Sequence, residues 1–233
     1  MTKTDALQSR QINHKTMRQI VGGIALFLAF FTYWLSDVYW PVNSISATYW
    51  TNSGDLFVGS LIVVGFFLAA YNGKHGRDLE YYISKVAAVL AVFVALFPTD
   101  IECTADQVTT GQACPVFAPS TWIDAITGFL GTSADVIHYV AAIPLFICLV
   151  VLLWFFSKRA KEKGHPGRAL AYRILAIAMI AGMAIIYGIV HFWLVRSDAI
   201  FWVEGWALMT FGIAWLLAGS YTSDPELSSV GST

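Results

Sequence analysis

VIHYVAAIPLFICLVVLLWFFS, residues 136–157, runs for 22 residues without an aspartate, glutamate, lysine or arginine, and KRAK follows at once at 158–161. A bilayer's hydrocarbon core, about 30 Å thick, takes about 20 residues of helix at 1.5 Å each. The run therefore reads as a spanning helix that stops at a basic surface. Lipid offers no partner to an open backbone N–H or C=O, so such a segment is helical or belongs to a closed barrel. The alternating ten-residue strands of a barrel are absent.

Five more apolar runs, each with one charged residue near its start, occur at 17–36, 55–72, 82–98, 171–195 and 199–220. The 233-residue chain is 57% hydrophobic and 12% charged, with a mean hydropathy of +0.63. Soluble domains carry about 25% charged residues. The expected fold is an all-α integral membrane bundle of six transmembrane helices. Residues 1–16 form a polar arm, 17–220 the membrane domain, and 221–233 a polar tail whose composition predicts disorder. The first run is followed by Trp34-Leu35-Ser36-Asp37 rather than a small-x-small cleavage pattern, so it is expected to stay as a helix.

Lysine and arginine set the orientation. Thirteen of the fourteen fall in the N-terminal arm and in the second and fourth connections, leaving Arg196 alone on the opposite side. Both termini are therefore expected to be cytoplasmic, in a plasma membrane of bacterial inner-membrane type. The long outer connection, 99–135, has apolar residues at 122, 123, 126, 129 and 130, a helical spacing that predicts a short interfacial helix over 120–130. Cys103 and Cys114 in the same connection would face an oxidising compartment and are expected to pair. Cys148 falls within a span and reads as a small core residue.

On this topology the ionisable residues gather at the outer face. DVYWPVNSISATYWTNSGDLFVG, 37–59, joins the first two spans, with Pro41 breaking any helix and Ser53 or Asp55 placed to cap the next one. Asp55, His138, His191 and Glu204 are expected to line an outward-facing polar pocket, with Asp37, Ser46, Asp100 and Asp135 at its rim. Tyr187 shares a helix face with His191 at i, i+4, and Trp202 is placed to wall the pocket. An ionisable group inside a span is costly and is a functional candidate by default.

Three readings stay open. The pocket binds a small molecule, an ion or a lipid head group. Alternatively, His138, His191 and Glu204 hold a divalent metal such as zinc, with Asp55 or Glu204 as general base of a membrane hydrolase acting on a lipid-like amide or ester. In the third, the residues only fix a structural or interaction subunit. No HExxH, CxxC or GxSxG sequence is present. Membrane lipid is the partner the composition implies, and nothing points to nucleic acid. The inner halves of the spans show few charges, which argues against a conventional ion-coupled transporter.

Ser44-Ile-Ser-Ala-Thr-Tyr-Trp-Thr51 with Asp55-Leu-Phe-Val-Gly59, then Ala95-Leu-Phe-Pro-Thr99, His138 and Phe201-Trp-Val-Glu204, resembles a family of uncharacterised multi-pass bacterial membrane proteins with a SISAYYYT…RDVFVG pattern. Here Ser53-Gly54 stands where that pattern has an arginine before the aspartate. The segment Pro41-Val-Asn-Ser-Ile-Ser46 is more faintly similar to the alkaline ceramidase group of membrane zinc hydrolases. That resemblance implies a metal, although Trp40 replaces the usual glutamate and the paired HxxxH of the last helix is missing.

Overall fold

A computed structural model describes residues 14–35, 43–73, 78–99 and 120–220. Seven α-helices follow in chain order: α1 His14–Leu35, α2 Gly54–Ala70, α3 Leu79–Leu96, α4 Thr121–Leu130, α5 Ala134–Glu162, α6 Pro166–Tyr187 and α7 Ala199–Ser220. A 3-10 turn, Ser46–Trp50, precedes α2, and a π-helical segment, Gly188–Trp193, prolongs α6. Among the described residues there is no strand. Five helices, Lys15–Leu35, Leu79–Leu96, Ala134–Glu162, Pro166–Trp193 and Ala199–Ser220, are long and apolar enough to cross a membrane, and Gly54–Ala70 is a shorter apolar helix. The protein is thus helical and membrane-embedded.

Each apolar run has become a helix within a few residues of its expected ends. The expected surface helix is α4, closed by Gly131 in the left-handed conformation at φ 64°. Ile123 is buried, and Trp122 meets Phe97 edge-on at 5.8 Å, which seats α4 on the end of α3. The proposed Cys103–Cys114 disulfide lies outside the described residues; Cys148 is free and buried in α5.

Packing order decides which residues can meet. α1 packs on α7 and α2, α2 on α3, α3 on α5, and α6 only on α5 and α7 among its main contacts. α5 and α7 also touch lightly, so α1, α2, α3, α5 and α7 form a ring and α6 leans on its outside. The tightest crossing is α1 on α7. A Cβ on Gly22 would stand 2.9 Å from the Gly212 carbonyl, and one on Gly212 2.8 Å from the Gly22 carbonyl. Small residues allow this approach, which suits helices that gain no hydrophobic drive from lipid.

Two polar layers close the ends of the ring. At the α1 start, Tyr71 donates to Glu80 Oε1 at 2.7 Å, and Arg159 bonds both Tyr71 and Glu80. Arg18 reaches the Ala218 carbonyl at 3.3 Å, its guanidinium 6.0 Å from the Tyr71 ring centre. Trp215 and Phe156 pack on that ring. Glu80 and Arg159 lie just outside the expected spans 82–98 and 136–157, so the expectation of few charges within the spans did not cover them. The two are 79 residues apart, and each belongs to a helix end that hydropathy treats as a boundary. The second layer is the candidate site.

Candidate functional site

α3 stops at Pro98, and a helix end leaves carbonyls that need outside donors. His138 Nδ1 meets the Phe97 carbonyl at 2.7 Å, and Trp50 Nε1 donates to the Thr99 carbonyl at 2.8 Å. Residues 43–53 are thereby drawn into the end of the ring. Thr99 Oγ1 lies 2.9 Å from both Ser44 Oγ and Ser46 Oγ, and the two serines are 3.0 Å apart. All three hydroxyls are buried. Ser44 Oγ also accepts from Ala47 N–H at 3.0 Å, and Ser53 donates to the Thr32 carbonyl at 2.9 Å. A Cβ on Gly54 would sit 2.2 Å from the Tyr49 carbonyl, so the 3-10 turn rests on bare backbone there. The stretch is a buried plug and not a solvated loop.

α7 supplies the charge. Phe201 N–H donates to the Asn43 carbonyl at 3.0 Å, and Glu204 Oε2 accepts from Ile45 N–H at 2.6 Å. Glu204 is 9% exposed, and no cationic side chain pairs with it among the described residues. His138 is 1% exposed. A carbonyl only accepts, so Nδ1 carries the proton and, in the neutral ring, Nε2 is a lone-pair acceptor. Among the described residues that Nε2 is buried without a partner, as is Asn43 Oδ1.

Beneath the plug lies a narrow cavity of about 50 Å³. α2 lines it with Phe57, Leu61, Val64 and Leu68, one helical face. That face is about 16 Å long at 1.5 Å per residue. α1 contributes Ile24, Ala25 and Leu28, α3 Ala91 and Val94, α5 Ala142, Leu145, Phe146 and Leu149, and α7 Leu208 and Phe211. Ser46 and Glu204 are its only polar lining residues among those described. α6 lines none of it.

The structure brings together Ser46 and Glu204, with His138 linked through Phe97-Pro98-Thr99. It disperses the rest. Asp37 and Asp100 lie outside the described residues. Asp55 is exposed on the first turn of α2 and cannot serve as a base at Glu204; Ser53 holds the N-cap position, but its hydroxyl donates to Thr32 and does not cap. Asp135 is half-buried, one turn before His138. Tyr187 and His191 do share a face, their rings stacked at 5.0 Å and 12°, but both are exposed on the outer helix α6. Trp202 is exposed and donates to Asp198 Oδ2 at 3.0 Å; Asp198 also accepts from Arg196 Nε at 2.9 Å and holds its guanidinium charged above the ordinary range.

The zinc set of His138, His191 and Glu204 is corrected on this geometry. Among the described residues no three His, Cys, Asp or Glu side chains could hold one metal ion. The physical reason is that α6 lies outside the ring, while Glu204 is bonded to backbone inside it. These donors do not fit the metal, and no step is derived through one.

Sequence reading missed Ser44 and Thr99. The signal available was Thr99 following Pro98, a helix stop that exposes carbonyls beside a hydroxyl. The class defined is therefore a membrane-embedded helical bundle with a polar plug over an apolar lumen. No family model, curated protein or solved structure matches the chain.

Proposed function

We propose that this is a six-span protein of a plasma membrane, with both termini cytoplasmic, that holds a single-chain amphiphile. The hydrocarbon chain occupies the lumen of the ring, and the polar head lies at Ser46 and Glu204. The observation that carries this reading is the cavity itself, apolar along its length and polar at one end only. Interiors are normally packed to crystal density, and an unfilled lumen forfeits dispersion contacts. At about 50 Å³ it holds only a few methylenes, so the helices must part to admit the whole chain.

Access from the bilayer fits the same picture. α5 and α7 touch lightly, but α6 stands behind them; α1 and α2 also pack lightly, with no helix among the described residues packed on both of them. The 17 residues of α2 reach about 26 Å, within the shorter range of spanning helices, which supports the sixth crossing. Ion passage is disfavoured, because the two polar layers are separated by apolar lining.

The test is extraction of the detergent-purified protein followed by lipid mass spectrometry, beside an Ala142→Phe variant that fills the lumen. About one single-chain amphiphile per protein, lost in the variant, is expected. Equal amounts in the two proteins would end this reading.

A further inference from the structure

At the end of the ring away from the plug, the start of α3 and the end of α5 line a second cavity, of about 410 Å³. That volume falls in the range of small-ligand sites. The two helices run in opposite directions, and the Glu80–Arg159 pair holds them level here. α5 reaches the cavity from its 22-residue uncharged run, presenting first Phe155, then Lys158, then Glu162. Lys158 and Glu162 are four residues apart, so they share a helix face about 6 Å apart along the axis. Both are exposed. The charge of Arg159 is met by Glu80, whereas Lys158 has no ion-pair partner among the described residues. Across the cavity stand Leu79, 64% exposed, and Asp78, which caps α3 by accepting the Tyr81 N–H at 3.0 Å.

From hydrocarbon to water the wall of this cavity therefore reads apolar, cationic, anionic. An apolar track leads away from it into the membrane: Leu79, Tyr82, Val86 and Val89 are exposed at helical spacing on α3, a helix long and apolar enough to cross. We propose that the cavity holds the head group of a zwitterionic phospholipid with a primary ammonium, phosphatidylethanolamine. Its phosphate, nearer the glycerol, meets Lys158. Its ammonium, further into water, donates to Glu162 beside Asp78, and an acyl chain lies along the α3 track. The site stands outside the lumen and does not depend on what the lumen holds. Phosphatidylglycerol would set a neutral hydroxylated end against the carboxylates. Phosphatidylcholine has both charges and no N–H to donate. The basic residues from Lys161 to Arg173 attract anionic lipid of any kind, so the carboxylates are what give this cavity its own preference.

The full chain, purified in a neutral maltoside and stripped of lipid, is titrated with dioleoyl phosphatidylethanolamine, phosphatidylcholine and phosphatidylglycerol. The apparent Kd of the first bound lipid is read by native mass spectrometry. Phosphatidylethanolamine is expected to bind about fivefold more tightly than either of the others, the upper end for an exposed ion pair. Lys158→Gln should weaken the ethanolamine and choline lipids alike, because both lose the phosphate contact. Glu162→Gln should weaken only the ethanolamine lipid and bring it level with the choline lipid. Both side chains are exposed, so neither substitution disturbs the core. Equal binding of ethanolamine and choline lipids by the unaltered protein, a comparison that needs no variant, would overturn the proposal. So would an ethanolamine preference that survives both substitutions, or tightest binding of phosphatidylglycerol.

Discussion

Thr99 shows how much of the plug hangs on one hydroxyl. Its Oγ1 is 2.9 Å from Ser44 Oγ and from Ser46 Oγ, while its carbonyl takes the Trp50 indole at 2.8 Å. Valine keeps the shape and the carbonyl but removes the hydroxyl. Two buried serines would then share one hydrogen bond between them, each losing a partner. Leaving a buried polar group unsatisfied costs about 1–3 kcal/mol. Thr99→Val is therefore expected to lower stability by an amount in that range, measured by denaturant titration in detergent. Thr99→Ser, which keeps the hydroxyl, should recover most of it; a neutral Thr99→Val would show that the triangle contributes nothing.

Among the elements, the turn from α6 to α7 is the strained one. The π-helical segment ends in Leu194 N–H to Ile189 carbonyl at 2.9 Å, Arg196 N–H returns to Val190 at 3.1 Å, and Val195 is left at φ 51°. A β-branched side chain in the left-handed region is costly by about 1–2 kcal/mol, and Val195 is 82% exposed, so little packing offsets it. Asparagine tolerates this conformation. Val195→Asn should raise stability by about 1 kcal/mol in the same titration, and a loss would mean that the strain is not carried at this residue. Element identity was legible: all six apolar runs and the 120–130 helix could be read from hydropathy and spacing, because burial in lipid or against a neighbour rewards those patterns directly. Packing order was not. Nothing in the periodicity of α6 tells that it leans outside the ring, and that fact separates His191 from Glu204. The buried pairing of Glu80 with Arg159 was equally hidden, since it depends on which helix ends meet. What the sequence did mark was the 37–59 stretch, whose Ser46 lies with Glu204 at one end of the lumen.

The molecule as a whole is polar at both ends of a ring with an apolar middle, and this arrangement makes the proposed topology testable at four points. If α2 crosses, Asn52 before its start and Leu79 after its end lie on opposite sides of the membrane. If both termini are cytoplasmic, His165 between α5 and α6 faces inward and Ser197 between α6 and α7 faces outward. All but Leu79, the first residue of α3, lie in connections, and all four residues are exposed. In a background with Cys103, Cys114 and Cys148 replaced by serine, single Asn52→Cys and Ser197→Cys proteins should react with a membrane-impermeant maleimide in intact cells. Leu79→Cys and His165→Cys should react only after permeabilisation. The physical basis is charge: thirteen of fourteen lysines and arginines sit on the inner side in this arrangement, and reversing it would place the Arg18 and Arg159 layer outside. Inward reaction of Asn52→Cys together with outward reaction of Ser197→Cys would remove α2 as a span. The plug would then be detached from the outer face, and the polar head of the ligand would have to be sought at the opposite surface.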